Sequence, residues 1–171
     1  MNTAIYAVVL TALQGVTTNA GDFTYHERLD PIDDALLVGV VAEQPEAKLS
    51  IACDHSRSRT VYVTLDTRDV LAPLASSLFR ELRTFQYRVD RGSVHRASAE
   101  YTHIDRAFLD GAEGRAFAQR LADSERVVIR VDGTRGPIDV TYDTTGLRPL
   151  IERVAERCGD RRLINRLGED A

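Results

Sequence analysis

The chain is poor in several things at once: it has one lysine, Lys48, two cysteines, five prolines and no tryptophan. Its charges sum to −4 at neutral pH, so the basic excess that phosphate recognition leaves on a general nucleic-acid binder is missing, and no polybasic patch for a membrane surface is visible. Neither cysteine belongs to a CxxC, which argues against a redox-active pair. HExxH and EF-hand spacings are also lacking, so the residues point to no metal site and no cofactor is expected. Gly111-Ala112-Glu113-Gly114 and Gly133–Gly136 are not phosphate loops, because the lysine that such a loop requires does not follow either of them. There are no internal repeats and no linker rich in Gly, Pro or Ser. One domain is expected, and 171 residues are enough to bury a real core.

Residues 1–20 contain no charged side chain, and Ala4–Leu13 is an apolar run as long as the hydrophobic region of a signal peptide. Thr18-Asn19-Ala20 is a tolerable cleavage site before Gly21. The run is too short to span a bilayer, which needs about 20 apolar residues. The expectation is therefore export by a leader over residues 1–20, with no span after processing; the alternative is an N-terminal core segment of a cytosolic protein. The first cysteine is Cys53, so nothing near the cleavage point carries a lipid.

Hydrophobic periodicity then outlines the domain over residues 21–159. Phe23–His26 reads as a short edge strand, Leu29–Asp34 as a turn, and Ala35–Glu43 as a central strand apolar on both faces. Lys48–Asp54 and Arg59–Thr67 alternate with period two and make a hairpin. Arg68–Leu82, interrupted by Pro73, reads as a loop with a short helix. Arg83–Asp90 and Ser93–Ile104 form a hairpin whose second strand lies near an edge, and Asp105–Asp110 is irregular. Glu113–Asp123 is a short amphipathic helix with its polar residues outward. Arg126–Asp132 and Pro137–Asp143 form a further hairpin.

The last expected helix lies within Gly146–Gly159, offered caps by Thr144 and Thr145 and stopped by Gly159, with residues 160–171 left as a charged tail. Its Leu147, Leu150, Ile151, Val154, Ala155 and Cys158 form one buried stripe. Cys158 therefore points inward, as does Cys53 on its strand. The fold expected is α+β: an antiparallel sheet with two helices packed on it, the C-terminal one riveted to the sheet by a Cys53–Cys158 disulfide. Two buried free thiols are the alternative that a reducing compartment favours. Closing about 105 residues in one loop is worth roughly 4 to 5 kcal/mol in the chain-entropy model.

Candidate chemistry is thin. Asp54-His55-Ser56 holds the three residue types of a hydrolase triad, yet three consecutive residues do not converge on one another. His26, His95 and His103 are scattered. Asp139 and Asp143 share a strand face and imitate an acid/base pair, although a solvated sheet face is the simpler reading. His55, Arg57 and Arg59 near the first hairpin tip, with Arg88 and Arg91, are the residues expected to form an interaction surface for anionic groups.

The Asp30-Pro31-Ile32-Asp33-Asp34 segment, LSIAC followed by RTVYVTLD at Arg59–Asp66, FQYRVDRG at Phe85–Gly92, SERVVIRV at Ser124–Val131 and PIDVTYDTTGL with its cysteine-ended helix occur in an order that resembles the periplasmic VasI/TagO-like proteins associated with type VI secretion. Where that family usually carries a tryptophan before the DPIDD-like segment, this chain offers Phe23 and Tyr25. The resemblance implies a compact periplasmic α+β domain without known catalytic activity beside an envelope-spanning machine. The expected function is thus a non-enzymatic periplasmic or secreted accessory protein that binds protein partners of the envelope through a sheet edge or through the loops at His55–Ser58 and Arg68–Leu82. An inhibitor or immunity-type protein acting on an envelope hydrolase is the second reading, and a cell-wall enzyme the third.

Overall fold

The alternating stretches become strands of a single antiparallel sheet. A computed structural model describes residues 19–32, 34–55, 59–71, 81–103 and 105–169. Its strands are β1 (Asn19–Ala20), β2 (Phe23–Leu29), β3 (Leu36–Glu43), β4 (Ala47–Asp54), β5 (Tyr62–Thr67), β6 (Glu81–Val89), β7 (Val94–His103), β8 (Arg106–Leu109), β9 (Arg126–Gly133) and β10 (Gly136–Asp143). They run in the order β1-β2-β3-β4-β5-β8-β7-β6-β9-β10. One face takes the apolar set: Phe23, Val40, Leu49, Ile51, Val63, Leu65, Phe85, Ile129 and Tyr142 are all buried within 2% exposure or less. Period two puts them on that face together.

Three helices cover it: α1 (Gly111–Ala122), α2 (Arg148–Cys158) and α3 (Arg161–Glu169). α2 lies over β3 and β4, and α1 lies against β5 and reaches β6 through Phe117, whose ring meets Phe85 and Tyr87 edge-on at 5.6 and 4.8 Å. The expected rivet is present. Cys53 of β4 and Cys158 at the end of α2 form a disulfide across a Cα separation of 5.9 Å, both 1% exposed.

The sheet curls until its last strand meets its first turn. Asp22 N–H donates to the Asp143 carbonyl at 3.0 Å, Asp143 N–H donates to Asp22 Oδ2 at 2.8 Å, and Tyr142 Oη donates to the Ala47 carbonyl at 3.0 Å. Gly21 makes this possible: it has φ +54°, and a Cβ there would sit 2.4 Å from the Asp143 carbonyl oxygen.

Several expectations need correction. The charged tail is the helix α3, which buries Leu163 and Leu167, so three helices pack on the sheet where two were expected. The irregular piece before α1 contains β8, which inserts between β5 and β7 and buries Ala107 and Leu109. That insertion makes β7 an interior strand, its modest hydrophobicity reflecting small buried residues, Ala97 and Ala99. Thr144 and Thr145 do not cap α2; Leu147 occupies the cap position, and the Thr144 hydroxyl is buried against Ser124 Oγ at 2.6 Å. Gly159 does end the helix, at φ +75°. The expected leader lies outside the described residues except for Asn19 and Ala20, which are β1; most of the Arg68–Leu82 loop lies outside them as well.

Candidate functional site

α2 is anchored at its C-terminal end from three sides. Besides the disulfide, His55 Nε2 donates to the Arg157 carbonyl oxygen at 2.7 Å, and Arg157 pairs with Glu27 of β2. Tyr25 Oη also donates to Glu27, at 2.7 Å, while the Arg153 guanidinium lies 4.2 Å from the centre of the Tyr25 ring. The Arg157 and Tyr25 bonds hold the Glu27 carboxyl below its ordinary value of 4.5, and burial with the Glu27 bond pushes the Tyr25 hydroxyl up to about 12. A carboxylate with a depressed folded-state pKa stabilises fully above the ordinary glutamate range, and that contribution is lost as pH falls through the folded value. Asp69, Asp139 and Asp143 are lowered too, each by a specific bond. The thermal midpoint should therefore hold steady from this source between pH 7 and 5, then fall below about pH 4.5. Glu27→Gln, followed by melts across that range, should flatten part of the decline.

The chain leaves α2 at Gly159 and turns directly into α3, and Asp160 makes the corner. Only 4% exposed, it caps α3 by accepting from Leu163 N–H at Oδ1, 3.2 Å, and ties in the start of β5 by accepting from Val61 N–H at Oδ2, 3.0 Å. Arg115 in the first turns of α1 faces the same carboxylate, Nη1 to Oδ2 at 3.5 Å. Arg115 is 7% exposed, and its Nε has no hydrogen-bond partner. A buried guanidinium with an idle N–H is costly unless something else uses it.

Beside this corner opens a cleft of about 330 Å³, lined by Arg59 and Thr60 ahead of β5, by Gly111 and Arg115 of α1, and by Gly159–Arg162. The N-termini of α1 and α3 both border it, and the cap residue of α1, Asp110, makes no side-chain cap bond. Four arginines, Arg59, Arg115, Arg161 and Arg162, line the cleft with one acidic residue, Asp160, in a chain of net charge −4. Two helix dipoles reinforce the same sign. The arrangement is suited to holding an anionic group.

Of the residues expected to form the interaction surface, Arg59 belongs to this cleft. His55 lies nearby, but its ring is committed to the Arg157 carbonyl and serves the fold. Arg57 lies outside the described residues. Arg88 at the end of β6 and Arg91 in the β6–β7 turn flank Asp90, which accepts from Glu125 and Arg126 N–H just beyond the far end of α1. α1 has 12 residues, so about 18 Å of helix separates the two groups. The structure does not bring them together.

Arg115, Asp160, Arg161 and Arg162 escape the sequence reading. Arg115 falls three and seven residues before Ala118 and Ala122, on the buried stripe of α1, and Asp160 after a helix-stopping glycine is a cap signal. The Asp139 and Asp143 pair is no acid/base couple: Asp139 is bound by Arg130, and Asp143 accepts from Thr145 N–H at 2.8 Å, so both are held ionised. Among the described residues no three His, Cys, Asp or Glu side chains converge to hold a metal ion, and no helix is long and apolar enough to cross a membrane. Comparison with protein-family models, with curated proteins and with solved structures gives no match to this chain.

Proposed function

We propose that the chain is a non-enzymatic accessory protein of the bacterial envelope, periplasmic or secreted, that binds a protein partner at the corner where α1, α3 and the start of β5 meet. The observation that carries this reading is the gathering of four arginines in one cleft beside a corner pinned by a disulfide. A disulfide closing 105 residues favours an oxidising compartment, and the resemblance to the VasI/TagO-like proteins of type VI secretion supports the envelope setting. An inhibitor would carry its key residues on one protruding loop, and a cell-wall hydrolase would present two facing acids. The cleft instead is concave and cationic, and its one carboxylate is occupied with a helix cap and a strand.

The test is capture from periplasmic extract by oxidised wild-type protein and by the rim variant Arg59→Ala/Arg162→Ala. A protein retained by the wild type and lost by the variant is the expected result. Retention of the same proteins by both would place recognition elsewhere and remove the cleft from the function.

A further inference from the structure

We infer that the ligand seated in the cleft is an acidic peptide segment of the partner, presenting two or more spaced carboxylates; this rests on the binding reading above and names its chemistry. Charge complementarity is the first argument. The acidic chain gathers four arginines along one cleft that has a single acidic residue, Asp160, paired with Arg115. The second is Arg115. Arg115 lines the cleft, with Nη1 facing Asp160 and Nε buried without a partner. Its charge adds to the cationic field of the cleft, although Nε itself is out of a ligand's reach. The third is the place already taken by Asp160, whose carboxylate caps α3 and lies against Arg115. Any anion placed at that corner faces a like charge at close range. Carboxylates spaced along a peptide avoid it by reaching the exposed rim arginines Arg59 and Arg162.

The experiment is calorimetric titration of the purified, oxidised full chain with a tetraglutamate peptide blocked at both ends, at low ionic strength. Inorganic phosphate serves as competitor. The expected result is saturable one-to-one binding, weakened about tenfold in Arg59→Ala/Arg162→Ala and unchanged in Arg88→Ala/Arg91→Ala, which removes the same charge from the distant turn. Added salt should weaken it further. The rim pair and the turn pair decide the matter. Equal loss in the two double variants means unspecific attraction and overturns the proposal. So does phosphate that displaces the peptide at concentrations below the peptide's own. The outcomes separate from those of the broader reading: phosphate binding lost in the rim variant leaves an anion-binding cleft and removes only the peptide, and a wild type that binds neither probe removes the acidic ligand, whereas the partner-binding reading is decided by the capture experiment.

Discussion

Reduction of the Cys53–Cys158 bond should lower the stability of the domain by about 4 to 5 kcal/mol, because the closed loop of 105 residues restrains the unfolded chain. For a chain of this length that corresponds to a fall in thermal midpoint of roughly 10 to 15 °C. The sulfurs join β4 to the end of α2, one residue before Gly159 turns the chain toward the cleft. The same treatment should therefore loosen the corner that positions Asp160, Arg161 and Arg162. Melts with and without reductant, and on Cys53→Ala/Cys158→Ala, check the first effect. A midpoint that moves by less than about 3 °C would show that the bond adds little to a core that is already sufficient.

Replacing Asp160 should be nearly as damaging for a different reason. Asp160→Ala deprives Leu163 and Val61 of their acceptors and leaves the Arg115 guanidinium buried without a counter-charge. Breaking a buried pair in this way costs about 3 to 5 kcal/mol. Asp160→Asn retains an acceptor and should cost less. The distinguishing result lies in the double variant: with Arg115→Met added, the stranded charge is gone, and part of the loss should return. Chemical denaturation of the two single variants and the double variant measures the coupling. Strictly additive losses would mean that Asp160 acts only as a cap and that Arg115 is indifferent to it.

Much of this architecture is written in local periodicity. The strands β4, β5, β9 and β10 alternate apolar and polar side chains, β3 is apolar on both faces, and the inward stripe of α2 ends in Cys158, so the disulfide follows from two local patterns that share one core. What escapes is decided by partners distant in sequence. β8 is a four-residue strand whose alternation, Arg106, Ala107, Phe108, Leu109, is too short to stand out until β5 and β7 flank it. α3 has only Leu163 and Leu167 as buried anchors among charged residues, and its place depends on α1 and α2 being present. Arg115 looks like a surface residue until the corner at Asp160 closes over it. The cleft therefore arises from three segments, near residues 59, 115 and 160, that no local pattern links.

The most direct test is the intact mass of the protein isolated from its host without reductant, after alkylation of free thiols. No alkylated cysteine, a chain closed by the Cys53–Cys158 bond, and recovery from the periplasmic or secreted fraction are the expected results. Two alkylated thiols on protein recovered from the cytosol would contradict the oxidising compartment, and with it the proposal of an envelope partner.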